Sequence, residues 1–157
     1  SYFEELQRGR IASDVAFMAM KFGDAGLDAF YSGHLKKAVQ DTGFRLKRLD
    51  EGQPAGLIDD RLRVEIRQAR FLIADLTHHN NGAYWEAGFA EGLGKPVIYM
   101  CRSDVFNDPT SRPHFDTNHH LTVVWSPGEE DAAVQRLKDT IRATLPDEAA
   151  LTDPDDV

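Results

Sequence analysis

A single cysteine, Cys101, in 157 residues excludes an internal disulfide, and one thiol fits a reducing cytoplasm. No apolar run is long enough to span a bilayer, and no basic start followed by an apolar core marks a secretory leader. Basic charge is also short. Against 26 Asp and Glu stand 18 Lys and Arg, a net charge of −8, which argues against nucleic-acid partners whose phosphates must be neutralised. The Gly-rich dinucleotide fingerprint, the phosphate loop ending in Gly-Lys-Ser/Thr and the serine nucleophile elbow are all missing. Six histidines include the pairs His78–His79 and His119–His120. Adjacent side chains diverge, and no Cys or carboxylate joins them at ligand spacing, so neither a metal nor a cofactor is expected.

The length suits one domain. Residues 1–13 read as a leading segment or linker, 14–146 as the folded domain and 147–157 as an acidic tail; the chain is expected to be processed or cut from a longer protein. Residues 15–20 form a continuous apolar run, a strand covered on both faces, and turn chemistry follows at Lys21–Asp24. Apolar residues at Leu27, Phe30, Tyr31, Leu35, Ala38 and Val39 predict a helix closed by Thr42-Gly43, and a strand is predicted over 44–49. Leu57, Ile58, Leu62, Ile66 and Ala69 mark a second helix leading into the strand 71–74. After the strand 97–100, where Cys101 reads as a packed core thiol, 102–119 is a polar stretch without clear period, expected to be a lid, a partner contact or disordered. A fifth strand at 121–125 and an amphipathic helix stopped at Pro146 complete the chain. Alternating strands and helices predict an α/β, flavodoxin-like three-layer sandwich: a five-stranded parallel sheet in the order 2-1-3-4-5 with helices on both faces.

The chemistry concentrates in FLIADLTHHNNGAYWEAGFAEGLGKPVI, residues 71–98. Asp75 follows the buried strand, at the edge where open α/β sheets bind ligands. Asn80 and Asn81 are good N-caps for the next helix and Gly94 stops it. Gly82, Ala83, Ala87, Gly88 and Ala90 let that helix lie close to the sheet or admit a ligand beside its backbone. Glu86, near the helix's positive end, is expected to be ionised and to face the same crevice as Asp75. An ionised, positioned carboxylate is what a nucleophile or an oxocarbenium stabiliser must be. Phe22, Tyr84 and Trp85 offer an aromatic face for a base, while Phe89 reads as core and Glu91 as solvated. Asp50 and Glu51 lie at another strand's carboxyl end; Asp116 and Asn118 are weaker candidates.

The same block, together with VAFMAMKF and PHFDTNHHLTVVW, resembles the nucleoside 2-deoxyribosyltransferase family and the related prokaryotic Toll/interleukin-1 receptor-like (TIR-like) proteins, over about residues 14–126. The resemblance implies an N-glycosidase or glycosyltransferase acting on a nucleoside, nucleotide or NAD. Glu86, within TyrTrpGluAlaGly, matches the family's attacking glutamate, and Asp75 matches the aspartate that contacts or protonates the leaving base. Asn80 stands where the family often carries another acid contacting the sugar hydroxyls, and the first loop implies ligand contacts from Met20 and Phe22. Relatives commonly self-associate, so a cytoplasmic homo-oligomer is implied, with no nucleic-acid or membrane partner. Within the same fold, the alternatives are a TIR-like enzyme releasing nicotinamide from NAD and a non-catalytic module binding a nucleotide signal or a protein.

Overall fold

The structure is a computed structural model that describes residues 13–21, 23–48, 58–79, 81–112 and 122–154, with 58–60 as backbone alone. Five strands, β1 (Val15–Ala19), β2 (Arg45–Arg48), β3 (Phe71–Asp75), β4 (Val97–Arg102) and β5 (Thr122–Trp125), form one all-parallel sheet in the order β2-β1-β3-β4-β5. This is the flavodoxin-like order expected from the alternation of elements. Helix α1 (Ala25–Phe30), a π-helical turn (Tyr31–Leu35) and α2 (Lys36–Asp41) follow β1; α3 (Ile58–Gln68) precedes β3, and α4 (Asn81–Gly92) follows it. The short α5 (Ser103–Phe106) leaves β4, and α6 (Glu130–Thr144) leaves β5.

Strand alternation splits the buried side chains into two layers. Met18, Met20, Ile73, Met100, Val123 and Trp125 pack under α1, α2 and α6 with Leu27, Phe30, Leu137 and Ile141. Phe17, Ala19, Leu72, Ala74, Leu76 and Tyr99 pack under α3 and α4 with Leu62, Ile66, Ala83, Ala87 and Ala90. Right-handed crossovers produce this segregation, since the chain moves left from β1 to β2 and right thereafter.

The helix ends follow local chemistry. Gly94, at φ 75°, closes α4: its N–H donates to the Glu91 carbonyl at 2.9 Å and the Lys95 N–H to the Ala90 carbonyl at 3.0 Å. These are the paired bonds of a helix stop that needs a left-handed residue. The helix expected over 27–39 is present but interrupted, because the Lys36 N–H reaches back to the Tyr31 carbonyl and opens one wide turn.

Three sequence expectations change in detail. Strand β4 runs on through Cys101 to Arg102, and Cys101 is fully buried, its thiol pushed up to about 12 by burial. Part of the stretch expected to be irregular is ordered: α5 is followed by a turn in which Asp108 accepts from the Thr110 N–H and hydroxyl, and Arg112 donates to the Phe106 carbonyl. The acidic tail is packed on the domain as far as it is described. Glu148 accepts both arms of Arg70 at 2.6 and 2.9 Å, and Asp153 takes Lys138 at 2.7 Å and Arg142 at 2.8 Å.

Lys138 is 6% exposed, so its stem packs in the interior while its ammonium meets Asp153 and, at 3.7 Å, Asp41. Lys138→Ala is expected to lower the unfolding free energy by about 2 kcal/mol, and Lys138→Met by less because stem packing survives. Urea titrations of the two variants measure the difference.

Candidate active site at the carboxyl edge of the sheet

The chain turns left after β1 and right after β3, so a crevice opens between the carboxyl ends of these neighbouring strands. Register pairs Ala19 with Ala74, which places Met20 beside Asp75 at that edge. Asp24 N-caps α1 through the Leu27 N–H at 2.9 Å and lies 2.7 Å from Nε2 of His78, off the line of a hydrogen bond, so the two loops meet across the crevice. The Leu27 N–H, with His78 adding to it, holds the Asp24 carboxyl below the usual range. The β3 loop is shaped by His79, left-handed at φ 50°, whose ring bonds the Ser111 carbonyl and stacks at 6.5 Å on Tyr84.

Asp75 ends β3 as expected, yet it is 2% exposed rather than open at the rim. Its carboxylate accepts from the Thr77 N–H at 3.0 Å and from the Trp125 indole N–H at 2.8 Å. Thr77 in turn accepts the Arg102 N–H, tying the ends of β3, β4 and β5 together. Burial raises the Asp75 pKa against the pull of these bonds.

Glu86 sits in the second turn of α4. Ala83, Ala87 and Ala90 are buried against the sheet, and Glu86 falls in the same i, i+3, i+4, i+7 stripe. It is partly buried, and among the described residues its carboxylate has neither a hydrogen bond nor an ion pair. Burial pushes its pKa up to about 7. The expectation of a fully ionised group from its place near the helix start is therefore corrected: desolvation outweighs a helix-dipole effect of under about 1 kcal/mol.

The two carboxylates belong to opposite faces of the sheet. Asp75 has the parity of Ile73 and joins Met20, Met100 and Trp125 on the α1–α6 face, whereas Glu86 stands on α4, which covers the other face. Met20 is itself 3% exposed, with Arg48 at 3.9 Å from its sulfur. Tyr84 is partly buried above the α3–α4 layer. Trp85, 45% exposed, stacks on Phe89 at 5.3 Å, with Arg63 over Trp85 and Arg67 over Phe89, so both rings face α3 rather than the crevice. Asn81 is exposed at the start of α4. Glu91, expected to be solvated, is exposed and accepts the Tyr99 hydroxyl. Phe22, Asp50, Glu51, Asn80, Asp116 and Asn118 lie outside the described residues.

Sequence reasoning missed Asp24, His78 and Trp125. Asp24 had a usable signal, a cap residue three positions before the first apolar residue of a helix; Trp125 had none, because its bond to Asp75 spans β4. Among the described residues no group of His, Cys, Asp and Glu has the arrangement of a metal site, and no helix is long and apolar enough to cross a membrane. Neither a scan against protein-family models nor a comparison with curated proteins finds a match.

Proposed function

We propose that the chain cleaves the N-glycosidic bond of a nucleoside, nucleotide or related compound, with Glu86 as nucleophile or stabiliser of the oxocarbenium-like state. The observation that carries this reading is a partly buried carboxylate in the sheet-facing stripe of α4, without a partner among the described residues and with its pKa raised to about 7. Partly desolvated carboxylates with raised pKa values concentrate where charge develops during a reaction. As the C1′–N bond breaks, its electron pair leaves with the base and positive charge grows on the sugar. Glu86 then either faces that charge or bonds to C1′ until water replaces it. The resemblance to the deoxyribosyltransferase and TIR-like families supports the same assignment, together with a cytoplasmic, self-associating protein.

Asp75 supports a narrower version. A neutral base needs a proton to leave, but Asp75 is buried, committed to Thr77 and Trp125, and on the other face of the sheet. A pyridinium, as in NAD, takes the bonding electrons and departs neutral without any acid. Cationic N-ribosides thus fit a single working carboxylate.

The test is mass-spectrometric product analysis of the parent and Glu86→Gln against NAD, nucleosides, deoxynucleosides and their phosphates. Release of nicotinamide or free base by the parent, reduced at least about a thousandfold in the variant, is expected. A bound ligand without release returns the chain to the class of non-catalytic binding modules.

A further inference from the structure

Single exposed apolar side chains are ordinary on a protein surface, but the large ones among the described residues are unevenly placed. Val64, 47% exposed, and Trp85, 45% exposed, share the outer side of the α3–α4 layer, and Leu151, 65% exposed, stands in the segment after α6. Leu62, Ile66, Ala83 and Ala87 turn to the sheet, which leaves Val64 and Trp85 outermost. Arginines frame them: Arg63 lies over the Trp85 ring at 5.6 Å, Arg67 lies over Phe89 at 5.7 Å, and Glu65 is drawn to Arg61 at 3.6 Å. Gly88 and Gly92 continue the outer side of α4 beyond Trp85. A Cβ at either would meet nothing within 4 Å, so packing inside the chain does not require glycine there, and the helix backbone lies open to a neighbour. Leu151 has the opposite surroundings. Residues 147–156 carry Asp147, Glu148, Asp153, Asp155 and Asp156 with no Lys or Arg. As far as it is described, this segment is fastened to the domain: the Ala150 N–H donates to the Thr42 carbonyl at 2.8 Å, Arg142 donates to the Ala150 carbonyl at 2.7 Å, and Ala149 is buried in the α1–α6 layer. Leu151 is thereby held outward, on the opposite side of the sheet from Trp85.

We propose that these two patches bind each other between copies of this chain, Leu151 of one copy seated on Val64 and Trp85 of the next, with carboxylates of the 147–156 segment facing Arg63 and Arg67. Apolar surface removed from water supplies the cohesion, and opposite charge around it sets the orientation. Pairing two α3–α4 faces symmetrically would instead set arginines against arginines and leave Leu151 uncovered. Because the patches differ and lie on opposite sides of the sheet, one copy cannot close them on itself. Each copy offers one donor and one acceptor, and association runs head to tail into a ring or an open chain. The contact is small, so it is reversible and grows with protein concentration. This assigns a surface to self-association, and it stands whether or not Glu86 cleaves anything.

Sedimentation velocity of the whole chain over a concentration series, at low and high salt, tests this. The weight-average mass should climb with concentration, and less steeply in high salt. Leu151→Ser and Val64→Glu, both at exposed positions, should each weaken association at least about tenfold while the protein still melts cooperatively. Mixed together, the two variants should form a heterodimer and stop there, because the Val64→Glu copy keeps an intact donor and the Leu151→Ser copy an intact acceptor. A parent that stays monomeric at its highest soluble concentration overturns the proposal. So does association that Leu151→Ser leaves intact, as a symmetric interface would, and so does a mixture no heavier than its parts. Glu86→Gln should associate as the parent does, and release of base or nicotinamide is assayed separately, so the failure of either reading leaves the other standing.

Discussion

Glu86→Gln should give a protein that is more stable and catalytically silent. The sign follows from proton linkage. Folding raises the Glu86 pKa from 4.5 to about 7, so between those values the folded chain holds a proton that the unfolded chain has released. The unfolded state binds fewer protons, and stability falls as pH rises through this window. The full effect is about 3 kcal/mol, reached above pH 7 and absent at pH 4. Glutamine has no proton to lose, so urea midpoints of parent and variant should coincide near pH 4 and separate steadily towards pH 8. Equal stability at both ends would show that the carboxylate finds a partner in solution. On the proposed mechanism activity runs the opposite way, because a nucleophile or cation stabiliser works ionised: kcat/KM should rise with pH through about 7 in the parent. A stability cost of this kind is what the proposed role of Glu86 would entail.

Asp75→Ala should be among the most damaging single substitutions. It strands two donors in the interior, the Thr77 N–H and the Trp125 indole N–H, and opens a small void between them. Each buried unsatisfied donor costs about 1–3 kcal/mol, so a loss of about 3–5 kcal/mol is expected. Asp75→Asn keeps an acceptor for only one of the two donors and turns an NH2 towards the other, while it avoids burying a charge, so it should fall between alanine and the parent. Burial raises the Asp75 pKa, so its charged form weakens the fold as pH climbs above the ordinary value of 3.8; the asparagine variant should escape that loss. Denaturant unfolding of the three proteins in a Trp85→Phe background, with Trp125 emission reporting the indole's surroundings, tests the ranking. Asparagine as damaging as alanine would mean that the negative charge itself is required.

The architecture was legible because it rests on periodicity and punctuation. The doubly apolar runs at Val15 and Phe71, the helical repeat from Leu27 and the stops at Gly43 and Gly94 all carry local signals that tertiary packing did not override. The site was legible in position but less so in orientation. Asp75 stands at the end of its strand and Glu86 on the following helix, both as read. Which face each serves depends on strand parity against the handedness of the crossovers, a long-range property that spacing along the chain does not show. The protonation of Glu86 was misjudged for a related reason. Its helix position is local, whereas the desolvation that dominates comes from the packing of α4 in the finished fold. The π-helical turn left no trace in a pattern that reads equally well as continuous α-helix.

An all-parallel sheet also dictates how the chain must assemble. No two paired strands are joined by a hairpin; Phe17 meets Leu72, and Leu72 meets Val97, only after intervening helices have formed and crossed over. Such non-local closure is slow, and the apolar strands β1 and β3 wait unpaired in the meantime, open to association with other copies. The borders of the finished sheet are guarded. Strand β2 turns Arg45 and Lys47 outward, and β5 is only four residues long. Aggregation of this protein should therefore be a problem of refolding, sensitive to concentration and temperature during collapse, and not of the native state.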